Sequence, residues 1–179
     1  MSFNDSPRLQ STKLILVLAD LAGYAKCFRD HPDEVMAAFI HRFYLVCADV
    51  IEAHHGRVVK FMGDACHAVF PGDGGADAVA GMLDLRRGVA TLAAEHHLNV
   101  ELGANVHCGM VVEGQYGRPT DPHYDVMGSA MNHTALMGRG PGLRLSEPVY
   151  RQLVSAARSP WRRVKAAATY HYQDESPDA

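Results

Sequence analysis

Two long stretches of helical periodicity, set among short runs of strand-forming residues, fix most of what this chain can fold into. From residue 33 to about 54, Phe39, Phe43, Val46 and Val50 recur at helical spacing, and Gly56 ends the stretch. From residue 75 to about 97, Leu83, Val89 and Leu92 repeat the pattern. Between them lie two short strand patterns, residues 57–62 and 66–70, around Gly63-Asp64, a Gly-first pair suited to a two-residue hairpin turn. Residues 13–19 (KLILVLA) form a continuous apolar run of strand length, as expected of a strand buried on both faces. Residues 99–107 and 110–114 read as a second strand pair. The order β-α-β-β-α-β predicts a ferredoxin-like α+β sheet with helices on one face and further elements appended.

Those further elements are a short helix over residues 128–137, stopped by Gly138-Arg139-Gly140-Pro141, and a strand over 143–145. Ser146 is placed to cap a helix running to about 156, with Glu147 and Pro148 in its first turn. Residues 161–172 read as one or two edge strands, and the polar stretches 1–12 and 173–179 as flexible ends flanking one domain over 13–172.

Composition narrows the function classes. A chain of 179 residues that is 47% hydrophobic suits one domain with a sizeable core. A net charge of −3 argues against broad nucleic-acid binding, although a small polyanion needs only a few placed cations. No apolar run is long enough to cross a membrane, and four scattered cysteines without CxxC spacing fit reduced thiols in a cytoplasmic protein. The eleven histidines form no zinc-like pattern.

Two carboxylates stand out. Asp20 ends the first buried strand and Asp64 sits at the hairpin tip, so the expected topology brings both to one end of the sheet. A pair of carboxylates suits Mg²⁺, which binds through one or two of them plus substrate phosphates. The small residues Ala22-Gly23 after Asp20 let backbone N–H groups approach a triphosphate. Each acid alone also fits a plainer role, a polar strand end and a turn residue, and their convergence leaves the two readings balanced. Asn132, inside the short helix despite a poor propensity, fits either a hydrogen-bonding role or a solvent-facing one.

Taken in order, these segments resemble the class III adenylate and guanylate cyclases. Leu18-Ala19-Asp20-Leu21-Ala22-Gly23-Tyr24 is similar to the family's F-A-D-I-x-G-F, and residues 56–70 (GRVVKFMGDACHAVF) to its G-G-x-V-V-K-x-x-G-D-x-x-x-A-x-F hairpin. Residues 102–114 resemble I-G-I-x-x-G-x-V-x-x-G, residues 124–137 resemble Y-D-I-W-G-x-x-V-N-x-A-x-R-M, and Leu145-Ser146-Glu147-Pro148-Val149-Tyr150 resembles V-S-E-x-V-Y. The resemblance implies a head-to-tail homodimer with shared sites that converts ATP to 3′,5′-cyclic AMP and pyrophosphate. It implies that Asp20 and Asp64 bind two Mg²⁺ ions (or Mn²⁺ in their place), with the Leu21 carbonyl as a further ligand. It further implies that Lys60 and Asp125 of the other subunit read adenine, that Asn132 orients the ribose, and that Ala22, Gly23, Tyr24 and Lys165 contact the triphosphate. Ala166 replaces the Gly that follows the family's triphosphate Lys.

One departure bears on catalysis. The family's Arg, four residues after its Asn, stabilises charge on the α-phosphate, and here that position is Leu136. Losing one such donor commonly costs about 10²–10³ in rate. The resemblance therefore supports a slow cyclase, or alternatively a degenerate domain that binds nucleotide or a partner without turnover. Arg139, among glycines where the short helix ends, reads as a solvated turn residue.

Overall fold

The computed structural model describes residues 9–164 and 168–173. Lys165 and the expected flexible segments before Leu9 and after Gln173 lie outside the described residues. The elements run β1 (Leu9–Ala22), α1 (Tyr24–Cys27), α2 (Asp33–Ala53), β2 (Arg57–Met62), β3 (Ala65–Pro71), α3 (Gly75–Glu95) and β4 (Glu101–Arg118). They continue with β5 (Asp121–Met127), α4 (Ser129–Leu136), β6 (Gly142–Ser146), α5 (Glu147–Tyr150), α6 (Ser155–Arg158), β7 (Trp161–Val164) and β8 (Thr169–Tyr172).

The strands form one sheet in the order β2-β3-β1-β4-β6-β8-β7, with β5 paired to the far half of β4. The segment β2-β3-β1-β4 is antiparallel throughout and has the expected ferredoxin-like order, while β6 joins β4 in parallel. The apolar run of β1 faces two ways. Ile15, Val17 and Ala19 enter the main core beneath α2 and α3, with Phe39, Phe43 and Ile51 from α2 and Met82, Leu85 and Val89 from α3. Full burial of such side chains contributes about 1.5–3 kcal/mol each. Leu14 and Leu16 point to the opposite face, into a smaller cluster with Val69, Val111, Val126 and Ala130.

That second cluster corrects the expectation of helices on one face: α4, through Ala130, covers the other side of the sheet. Other expectations change too. β1 starts at Leu9, so part of the segment expected to be frayed is strand. β4 runs unbroken through Cys108-Gly109, where a break between two strands was expected, and the hairpin lies instead between Arg118 and Asp121. Gly109 is small for packing rather than for a turn, because a Cβ there would lie 2.6 Å from the Ala130 Cβ. Asp125 consequently sits within a strand, β5. The helix expected from Ser146 to about 156 is two short pieces, α5 and α6, and the Ser146 side chain makes no capping hydrogen bond. Its buried Oγ has no partner among the described residues.

Candidate active site

Strand register places the two acids together. Asp20 pairs across the sheet with Ala65, the residue after Asp64, and the Leu21 N–H donates to the Asp64 carbonyl at 3.1 Å. The turn is also held from the helix side, where the Tyr44 hydroxyl donates to the Gly63 carbonyl at 2.7 Å and the Tyr44 ring stacks on Phe61 at 3.9 Å. Asp20, Leu21, Ala22, Gly23 and Asp64 line one cavity of ≈ 800 Å³, which Lys26, a cation passed over in the sequence, also lines. Tyr24 is different: its side chain is buried and its hydroxyl donates to the Met36 carbonyl at 3.2 Å.

Burial and then the charge of Asp64 push the Asp20 carboxyl above its usual range, with Arg144 pulling the other way. A carboxyl whose ionisation is opposed by a neighbouring carboxylate is relieved by a divalent cation, so the donor set fits Mg²⁺ held by two carboxylates plus substrate oxygens. Among the described residues no third His, Cys, Asp or Glu joins them. Close approach over β4 is essential to this geometry. A Cβ on Gly103 would fall 2.4 Å from the Gly140 carbonyl oxygen and 2.6 Å from Asp20 Oδ1.

Lys60, Asp125 and Asn132 gather elsewhere. Lys60 Nζ donates to Asp125 Oδ2 at 2.7 Å, and Asp125 Oδ1 accepts from the Val126 N–H at 2.9 Å. Burial raises the Asp125 carboxyl, but the bonds from Lys60 and Val126 outweigh it and hold it below its usual range. Lys60 reaches this face through a β-bulge. Register slips between Val58 and Lys60, so Lys60 lies opposite His67. With regular pairing it would oppose Cys66, which is wholly buried on the core side. Arg57 lies 3.8 Å over the Tyr124 ring, and the Tyr124 hydroxyl donates to Glu113 at 2.6 Å, which tie β2 and β4 to β5. Lys60 and exposed Asn132 line a cavity of ≈ 520 Å³ with Met62, His67, Met127 and Met131. That cavity shares no lining residue with the one holding the acids.

At the end of α4, side chains from two neighbouring strands satisfy the carbonyls. Asn105 Nδ2 donates to the carbonyls of Thr134 at 3.0 Å and Gly138 at 2.9 Å. Its register partner on β6, Arg144, donates to the carbonyls of Arg139, Gly140 and Pro141 at 2.7, 3.1 and 3.0 Å. Arg144 is only 8% exposed and read in sequence as an unremarked residue between two leucines. Leu136, by contrast, is 83% exposed.

His67 is a further residue that sequence reading missed. It is 1% exposed, and neither ring nitrogen has a partner among the described residues. Burial first, then the Lys60 charge, push its pKa down to about 4, with Asp125 opposing. The unfolded chain takes up a proton there near pH 6.5, whereas the folded protein resists until about 4. The depressed value therefore removes stability as pH falls through that window, by about 1.4 kcal/mol per pH unit. His107 acts in the same direction and Asp20, with its raised carboxyl, in the opposite one. We expect calorimetric melting temperatures to fall from pH 7 to 4.5 and to fall less steeply for His67→Leu. Equal slopes would exclude His67 as a source of acid sensitivity.

Comparison with known proteins decides the family. The chain matches the adenylate and guanylate cyclase catalytic domain over residues 8–159. It belongs to that family. An uncharacterised protein of Mycobacterium tuberculosis is 27% identical over 121 residues, covering 67% of this chain and 23% of the relative. This chain thus spans about a quarter of the length of the curated relative it matches. Among solved structures, the adenylyl cyclase CyaB from P. aeruginosa superposes with a TM-score of 0.81 at 15% identity, covering 96% of this chain and 99% of that one. A dimeric guanylyl cyclase domain from the aquatic fungus Blastocladiella emersonii gives 0.79 at 15% identity, covering 93% and 96%. These likenesses establish the cyclase fold. In this cyclase domain no described helix is long and apolar enough to cross a membrane.

Proposed function

We propose that this cyclase domain acts as a head-to-tail homodimer that converts ATP to cyclic AMP and pyrophosphate in the cytoplasm. The observation that carries this reading is the division of the site residues: Asp20 and Asp64 line one cavity, while Asn132 and Lys60, which bonds Asp125, line another that shares no lining residue with it. Neither cavity has every part the reaction needs, whereas a second copy facing the first would complete both. Exposed Met62, Met127 and Leu136, at 45%, 48% and 83%, leave apolar surface around the second cavity for such a partner.

In the reaction the ribose 3′-oxygen attacks the α-phosphorus, the bond to the β-phosphate oxygen breaks, and pyrophosphate departs as the 3′-hydroxyl proton is lost. Bound Mg²⁺ would supply the Lewis acidity that eases this proton loss and offsets charge on the leaving phosphates. Asp20, Asp64 and the Leu21 carbonyl would hold the two ions. The backbone of Ala22 and Gly23 faces the triphosphate, and Lys165 is proposed to reach it as well. Asp125 accepts from the adenine 6-amino group while Lys60 donates to a ring nitrogen, and their mutual 2.7 Å bond keeps the two heads aligned before the base arrives. Asn132 sets the ribose.

The test is incubation of the protein with each nucleoside triphosphate and Mg²⁺ or Mn²⁺, with cyclic products read by mass spectrometry. Cyclic AMP should exceed cyclic GMP, and Lys60→Glu with Asp125→Cys should reverse that order. Equal use of both purines by the unaltered protein would refute the base-reading roles. Leu136 favours a second reading, a domain that binds nucleotide without turnover, which total absence of any cyclic product would support.

A further inference from the structure

We infer that Arg139 supplies, from the same chain as Asp20, the cation for the nucleotide's triphosphate that Leu136 does not provide. The inference rests on the nucleotide-binding reading above and adds a residue to that site. Three observations carry it. Arg139 and Asp20 line one cavity of ≈ 360 Å³, together with Ala65, Asn105 and Ala135. The Arg139 side chain is exposed and makes no hydrogen bond or ion pair among the described residues. Its backbone, however, is fixed, because its carbonyl accepts from Arg144 at 2.7 Å within a loop whose neighbouring carbonyls are bound by Arg144 and Asn105.

A tethered base with an unpaired head is the arrangement expected of a ligand-seeking cation. Arg144 is unsuited to the same task, since its buried guanidinium is already engaged by carbonyls. The Arg139 guanidinium is free to present two parallel N–H donors to a phosphate. Gly140 and Pro141, the next residues of the tethered loop, line the cavity of the two acids, so the loop forms a wall between that cavity and α4. Arg139 therefore shares a cavity with Asp20 within one chain, and because Leu18, Met62 and Ala135 line both this cavity and the one holding Asn132, it lies between the two halves of the site.

The experiment is calorimetric titration of the full chain with Mn·ATP, comparing wild type with Arg139→Ala, Arg139→Lys and Arg42→Ala, a control on the exposed side of α2. Circular dichroism checks folding. Loss of one charged contact should weaken binding about ten-fold in Arg139→Ala, with partial recovery in Arg139→Lys and no change in Arg42→Ala. Mixing assays then test the chain assignment. Asp20→Ala mixed with Arg139→Ala should show no gain in cyclic product, because both losses fall on the same half of each site. A gain on mixing would overturn the same-chain assignment. Wild-type affinity and turnover in Arg139→Ala would overturn the inference while leaving the cyclase reading intact. A wild type that binds Mn·ATP but yields no cyclic product would overturn cyclisation, and the binding comparison would still decide Arg139. Failure of the wild type to bind Mn·ATP at all would overturn both.

Discussion

Asp20→Ala and Asn132→Ala proteins, each nearly inactive alone, should regain cyclase activity when mixed. Asp20 lies in the acid cavity and Asn132 in the second cavity, with no lining residue common to both. On the head-to-tail reading proposed above, each site draws Asp20 from one chain and Asn132 from the other. Removing either should lower kcat by about 10²–10³ or more, the usual loss for one preorganised group at a reacting phosphate. Random exchange puts one intact site in half of the dimers, so the mixture should recover roughly a quarter of the wild-type rate. Sizing and a labelled-chain exchange assay establish that mixed dimers form. No recovery despite shown exchange would mean that one chain holds a complete site, and the head-to-tail reading would fail.

The parts of this arrangement that were legible in sequence are the local ones. The two long helices announce themselves by periodicity, and Gly63-Asp64 places its hairpin without reference to anything distant. Asp20 could be set beside that hairpin because the expected strand order makes β1 and β3 neighbours, and they are. What escaped depends on contacts far apart in the chain. Gly109 resembles a strand break until α4 is seen packed against it. The bulge that turns Lys60 away from the core leaves no mark in Val58-Val59-Lys60 itself. Arg144 looks like a surface residue in a short strand, and only the return of residues 138–142 around its head makes its burial tolerable. His67 gave no signal beyond its residue type, since its lack of partners is a property of the packed sheet.

The second large effect concerns Leu136. Asn132 and Leu136 lie one helical turn apart on α4, and both side chains face solvent in the single chain. Because Leu136 is 83% exposed, Leu136→Arg buries no unpaired charge in the domain's own core, and folding should be unaffected. The new guanidinium would enter each shared site beside Asn132, from the chain opposite to the one that contributes Asp20 and Arg139. If the missing element is charge stabilisation at the α-phosphate, kcat should rise while nucleotide Kd stays nearly constant. Arg139 already supplies part of that stabilisation in the wild type, so the gain should be larger in an Arg139→Ala background, about ten-fold or more. The two arginines would act on the same phosphates, and a double-mutant cycle should therefore show strong coupling between them. Two alternatives give distinct results. If Leu136 serves instead as apolar contact between subunits, Leu136→Arg should weaken the dimer on sizing and lower activity in both backgrounds. A folded, dimeric Leu136→Arg protein with unchanged kcat in both backgrounds would mean that the transition state needs no cation at this position, and the reading of the domain as a nucleotide binder without turnover would gain ground.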